Sequence, residues 1–179
     1  MSHVIQMTGL SGAGKTTIST KVSHKFAEIG VSCIVLDGDI YRKTICKDLG
    51  YSRPDRIENI NRLGILADTY SKSIKVIIIA AINPYEESRQ LLLKKYNAKV
   101  VWIDCCLERL IKRDTKGLYK RALLNDDDKE KIQCLSGIND PYEIPQSPDL
   151  IIRTHLESIN ESVQKLFDYI SVLIQSLTF

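Results

Sequence analysis

The sequence predicts an α/β protein with a five-stranded parallel sheet and helices on both faces, and three observations carry that expectation. Short β-branched runs alternate with longer amphipathic stretches along the chain. The runs read as strands buried on both faces, which is the pattern of parallel sheets. No period of roughly 20–50 residues repeats, and no Pro/Gly/Ser-rich linker divides the 179 residues, so residues 1–179 are expected to form a single domain.

Each element has its own signal. Residues 4–7, Val-Ile-Gln-Met, open the chain as a strand, and residues 16–29 follow with helical spacing. Residues 32–36 read as the second strand and about 40–49 as a helix. Pro54 suits a first helical position and starts a helix over 54–73. The longest apolar run, residues 76–82, is the third strand, followed by a helix over 84–96. Residues 100–103 and 150–152 complete the five strands, with helices over 106–113 and 155–177. In such sheets ligands bind beyond the carboxyl ends of the strands, so the loops there should carry the chemistry.

Composition excludes several classes. That longest apolar run is far short of the ~18 residues that cross a bilayer, and the N-terminus enters strand-like sequence at once, so neither a membrane anchor nor a signal peptide is expected. The 25 basic and 22 acidic residues are scattered and sum to +3, too balanced for a surface that coats a nucleic-acid polymer. Five cysteines, an odd number without C-x-x-C spacing, suggest neither a zinc site nor a disulfide framework and fit a reducing cytoplasm.

Gly9-Leu10-Ser11-Gly12-Ala13-Gly14-Lys15-Thr16 is G-x-x-x-x-G-K-T, placed after a predicted strand and before a predicted helix. That context defines a P-loop. Its backbone N–H groups cradle an oligophosphate, Lys15 reaches the β- and γ-phosphates, and the Thr16 hydroxyl can ligate Mg2+. The ATP-side candidates are therefore Gly9, Ser11, Gly12, Ala13, Gly14, Lys15, Thr16 and the adjoining Thr17. The second strand runs into Asp37-Gly38-Asp39, which brings two carboxylates beside the cradle if that strand neighbours the first. Asp39 can accept the proton of an acceptor hydroxyl, or it can simply cap the next helix.

Arg42 falls three residues beyond Asp39, and Arg56, Asn59 and Arg62 share one stripe of the helix that starts at Pro54. Guanidinium forks on such a stripe suit an anionic nucleotide, but spacing alone favours a solvated face paired with Asp55 and Glu58. Arg113, Lys116, Lys120 and Arg121 fall within nine positions. That segment reads either as a lid over the transferring phosphate or as a solvated helix end capped by Gly117.

The ordered fragments GLSGAGKTT, LDGD, LGYSRPDRIENINRLG, NPYEESR, RDTKGLYKRA and SGINDPYEIP resemble the adenylylsulfate kinases from Gly9 to about Thr154. The resemblance implies a P-loop nucleoside-triphosphate kinase fold that forms homodimers. It implies transfer of the γ-phosphate of MgATP to the 3′-hydroxyl of adenylylsulfate, giving 3′-phosphoadenylylsulfate. It makes Lys15 and Asp39 catalytic, Thr16 the Mg2+ ligand and Arg113 an ATP contact. Asp37, Arg42, Tyr51, Arg56, Asn59, Ile82 and Leu135 fall to the acceptor, together with Lys116, Gly117 and Leu118 in a lid of about residues 113–140. The partners it implies are small-molecule nucleotides.

Three departures surround the acceptor. Ala81-Ile82-Asn83-Pro84 lacks the serine that some members phosphorylate. Leu135 stands where the family has a phenylalanine that stacks on the acceptor's adenine, a contact worth roughly 1–3 kcal/mol. Ala122-Leu123-Leu124-Asn125 and the acidic run Asp126-Asp127-Asp128 replace the usual lid sequence. A relative that phosphorylates another nucleotide, such as cytidine diphosphoramidate in capsule modification, is the alternative. A P-loop regulatory ATPase is a third reading, disfavoured because a switch needs no second nucleotide pocket.

Overall fold

A computed structural model describes residues 2–176. Five strands form one parallel sheet: β1 (His3–Thr8), β2 (Cys33–Asp37), β3 (Val76–Ala80), β4 (Lys99–Asp104) and β5 (Leu150–Arg153), in the order β2-β3-β1-β4-β5. The alternation of side chains along each strand feeds two apolar layers. Ile5, Met7, Val76, Ile78, Val101 and Ile103 face α1 (Lys15–Glu28) and α7 (Ile159–Gln175), where Phe26, Leu166 and Ile170 pack. Val4, Leu36, Ile77 and Ile79 face α3 (Arg53–Tyr70) and α4 (Glu86–Tyr96) through Ile60, Leu63 and Leu92. This is the fold expected, with helices on both faces.

One buried polar residue ties a helix to the central strand. Gln6 is fully buried on the second layer, and its amide donates to the carbonyls of Arg89 and Ala98, each at 3.0 Å. Its Oε1 accepts from Asn83 at 3.1 Å. An unpaired amide there would cost a few kcal/mol, so these contacts hold α4 and its flanking residues against β1.

The structure departs from expectation at three places. The helix expected over 40–49 is a single turn, α2 (Gly38–Tyr41), followed by turns through residue 48. There the amides of Lys43 and Thr44 bond three residues back instead of four. Gly117 does not cap the preceding helix. That helix, α5 (Leu107–Arg113), ends at Asp114, and Gly117, at φ 64, precedes an unforeseen helix, α6 (Leu118–Ala122). Finally, α7 starts at Ile159 instead of 155 because Ser158 and Glu161 form a capping box. Residue 177, the expected end of that helix, lies outside the described residues.

Candidate active site

The cradle follows β1 directly. Gly9 is required by close approach: a Cβ there would stand 2.4 Å from the carbonyl oxygen of Ile103 on β4. Gly14 adopts φ 109 at the N-cap of α1, so the first amides of that helix open into the loop. Lys15 is buried, and its Nζ donates to the carbonyls of Gly9 at 2.7 Å and Leu10 at 2.9 Å. Burial lowers its pKa to about 8, against the opposing pull of Asp39 and Asp37. A polyphosphate beside it restores the preference for the charged form.

The acidic pair reaches the cradle, although not by the adjacency expected. β2 pairs with β3 and not with β1, yet Asp37 lies level with Ala80, which in turn lies level with Met7. Thr16 Oγ1 donates to Asp37 Oδ2 at 2.7 Å, and Asp37 Oδ1 accepts the backbone N–H of Asp39 at 2.8 Å. Asp37 is therefore the cap of α2, and the capping reading of Asp39 is corrected. Asp39 is exposed and ion-paired with Lys116 Nζ.

The stripe on α3 divides. Arg62 matches the solvated reading, bonded to Glu58 at 2.9 Å and to Asp48 at 2.7 Å. Arg56 and Asn59 are instead buried, and Asn59 Oδ1 has no hydrogen-bond partner. Arg56 donates to the carbonyls of Tyr51 at 2.9 Å and Cys134 at 2.6 Å and pairs with Asp140 at 3.3 Å. Arg42 donates to the Gly50 carbonyl at 2.7 Å and lies over the Tyr51 ring at 4.6 Å, with its pKa lowered chiefly by burial. Arg42, Tyr51 and Arg56 line a cavity of about 770 Å³ together with Lys116, Leu118 and Leu135. Arg42, Arg56 and Ile82, joined there by Asn59, also line a narrower recess.

The cradle cleft itself has a volume of about 230 Å³ and holds Ser11, Gly12, Lys15, Thr16, Asp37 and Asp39. Ile82 and Lys116 line both this cleft and the larger cavity. On the other side, Thr17 and Arg113 lead from the cleft into a further cavity of about 360 Å³. Arg113 also donates to the Gly12 carbonyl at 3.1 Å, and Tyr119 OH to that of Ser11 at 2.8 Å, which fastens α5 and α6 to the loop. Two expected residues line none of these walls. Gly9 acts through shape alone, and Gly117 turns the chain into α6. The Ala13 side chain is packed in the core.

Sequence reasoning missed Asp140, Gln133, Cys134 and Ser136. All but Asp140 line the large cavity, and Asp140 anchors Arg56. No local spacing marks them, because a loop folded across the sheet brings them in. Arg121, also in that wall, belongs to the basic segment.

The family model described as Adenylylsulphate kinase matches residues 1–153. An adenylyl-sulfate kinase of Chloroflexus aurantiacus is 41% identical over 164 residues, covering 91% of this chain and 86% of the relative. One from Microcystis aeruginosa is 40% identical over 170 residues, covering 94% and 91%. Among solved structures, the Mycobacterium tuberculosis APS kinase CysC in complex with AMPPNP and APS superposes with a TM-score of 0.86 at 34% identity, covering 95% of this chain and 98% of that one.

Proposed function

The chain belongs to the adenylylsulfate kinase family, and from that premise we propose how its own residues carry out the family's reaction, the ATP-dependent phosphorylation of adenylylsulfate to 3′-phosphoadenylylsulfate. The observation that carries the reading is the placement of Asp39 between two compartments, the phosphate cleft and the arginine-lined cavity. A kinase needs its base at that junction.

The cradle holds the triphosphate, with Lys15 against the β- and γ-phosphates. The acceptor lies in the large cavity. Arg42 and Arg56 take its anionic groups, Asn59 offers its free Oδ1 to an acceptor hydroxyl, and Tyr51, Ile82, Leu118 and Leu135 enclose the apolar part. As the 3′-oxygen bonds to the γ-phosphorus, the bond from that phosphorus to the β-bridging oxygen breaks. ADP leaves, and the hydroxyl proton passes to Asp39. Lys116 must release Asp39 for that step and is then free to meet the charge on the transferring group. The segment 113–140 acts as a lid, tied to the loop through Arg113 and Tyr119.

Mg2+ fits the residues present. The Thr16 hydroxyl and the Asp37 carboxylate are hydrogen-bonded to each other at the mouth of the cradle. Among the described residues no group of three or more His, Cys, Asp or Glu could hold a metal. That agrees with Mg2+, which takes one or two protein oxygens and completes its shell with phosphates and water. When bound it neutralises charge on the β- and γ-phosphates.

A second reading keeps this chemistry on another nucleotide, and Leu135 favours it, since the cavity wall there offers apolar contact without an aromatic face. A screen of nucleotide acceptors with MgATP tests both. Turnover that requires adenylylsulfate supports the first, preference for a cytidine diphosphate derivative supports the second, and ATP consumption that needs no acceptor overturns both. The proposed assembly is a homodimer, to be checked by sedimentation equilibrium. No helix among the described residues is long and apolar enough to cross a membrane.

A further inference from the structure

One largely buried ion pair fastens the loop beside the large cavity to the start of α3. Arg56 Nε and Asp140 Oδ2 meet at 3.3 Å, with the two side chains only 7% and 18% exposed. Such a pair adds little to stability, because desolvating both charges offsets their attraction, so its use lies elsewhere. The surroundings of Asp140 hold it in one place. Its Oδ2 also accepts the hydroxyl of Tyr85 at 3.4 Å, and Tyr85 is 2% exposed. Burial and the neighbouring carboxylate raise the Tyr85 pKa, so the phenol keeps its proton and donates. The Arg53 guanidinium lies over the same ring at 4.3 Å. On the main chain, the Asp140 N–H donates to the Leu135 carbonyl at 3.2 Å and the Asp140 carbonyl accepts the Gly137 N–H at 2.7 Å. The carboxylate is thus carried by the same turn that places Leu135 and Ser136 in the cavity wall.

We propose that Asp140 is a positioning residue for the acceptor, fixing the direction in which the Arg56 guanidinium meets it. The inference rests on the acceptor reading above. The contacts to Tyr51, Cys134 and Asp140 occupy Nε and Nη2 of Arg56. Nη1 is the nitrogen outside them, and Arg56 lines both the cavity and the recess. A guanidinium is a rigid planar fork, so holding two of its nitrogens sets where the third points. Asp140 lines neither the cavity nor the recess, so it acts through Arg56 and not by touching the acceptor.

Steady-state kinetics with MgATP and adenylylsulfate, on Asp140→Ala, Arg56→Ala and the double variant, test this. Asp140→Ala should raise the acceptor's KM about five- to tenfold, with kcat and the KM of ATP within about twofold of the parent, as expected when uniform binding is lost. In the Arg56→Ala background the same change should add less than about twofold, because groups that act through one another are not additive. Asp140→Asn keeps an oxygen that accepts from Arg56 and Tyr85, so it should recover most of the loss, leaving a rise of about two- to threefold that disappears in the Arg56→Ala background. That variant carries the test if Asp140→Ala does not fold. A parental acceptor KM in both Asp140 variants, effects that multiply in the double variant, or an equal rise in the KM of ATP overturns the proposal and leaves the acceptor reading standing. A parental acceptor KM in Arg56→Ala, or a parent that does not turn over adenylylsulfate, overturns that reading and the proposal with it.

Discussion

Lys15 holds its charge in a buried position at a known cost, which makes its protonation visible from outside. Its pKa of about 8 lies below the ordinary 10.5, so between those values the unfolded chain binds more protons than the folded one. The protein alone should gain stability as pH rises from about 8 toward 10.5, and Lys15→Met should abolish that rise in urea titrations. Triphosphate binding favours the charged lysine, so donor affinity should fall as pH climbs through about 8, with proton uptake measurable in buffers of different ionisation enthalpy. Lys15→Ala should nearly abolish phosphoryl transfer with the fold intact. Asp39→Asn should lower turnover by at least ~100-fold with donor affinity little changed. Because Asp37 and not Asp39 caps α2, that loss cannot be assigned to a lost cap, and parental turnover in the variant would remove Asp39 from the mechanism.

Among the elements, α3 shows what was legible in advance and what was not. Its start beside Pro54, its apolar spacing and the stripe of Arg56, Asn59 and Arg62 are all visible in the sequence. Which members of the stripe face the cavity is not, because burial depends on partners far away: Asp140 and the Cys134 carbonyl hold Arg56, whereas Asp48 and Glu58 hold Arg62 at the surface. The cradle was legible because its chemistry is local to eight consecutive residues. The large cavity was legible only through resemblance, since its walls come from six separate stretches of chain. Two substitutions on this helix separate the roles. Arg56→Ala should raise the acceptor's KM by about tenfold or more while leaving that of ATP near its parental value, whereas Arg62→Ala should leave both unchanged. Gly64 tests the packing of α3 on α4. A Cβ there meets Leu92 Cδ2 at 2.4 Å and Tyr96 Cε2 at 2.6 Å. Overpacking of about 1–3 kcal/mol then exceeds the roughly 1 kcal/mol that alanine adds to a helix. Gly64→Ala should lower Tm by a few degrees, read by calorimetry, with both KM values unmoved.

Across the whole molecule, the candidate catalytic and binding groups gather at one end of the sheet from positions as distant as Gly9 and Leu135. The strand order was not derivable from spacing, and it matters because β2 reaches the cradle across β3 and not beside β1. That order also bears on how the protein is made. β1 emerges first in synthesis but is the middle strand, and its neighbours β3 and β4 begin only at Val76 and Lys99. Until both have left the ribosome, the earliest apolar run has no partner, and its pairing waits on closure of a long loop. Nascent chains ending near Tyr70 should therefore be digested readily by protease, while those in which residue 104 has cleared the exit tunnel should resist. The phosphate loop follows the first of the five strands, yet it should acquire its shape only once the fourth has been translated.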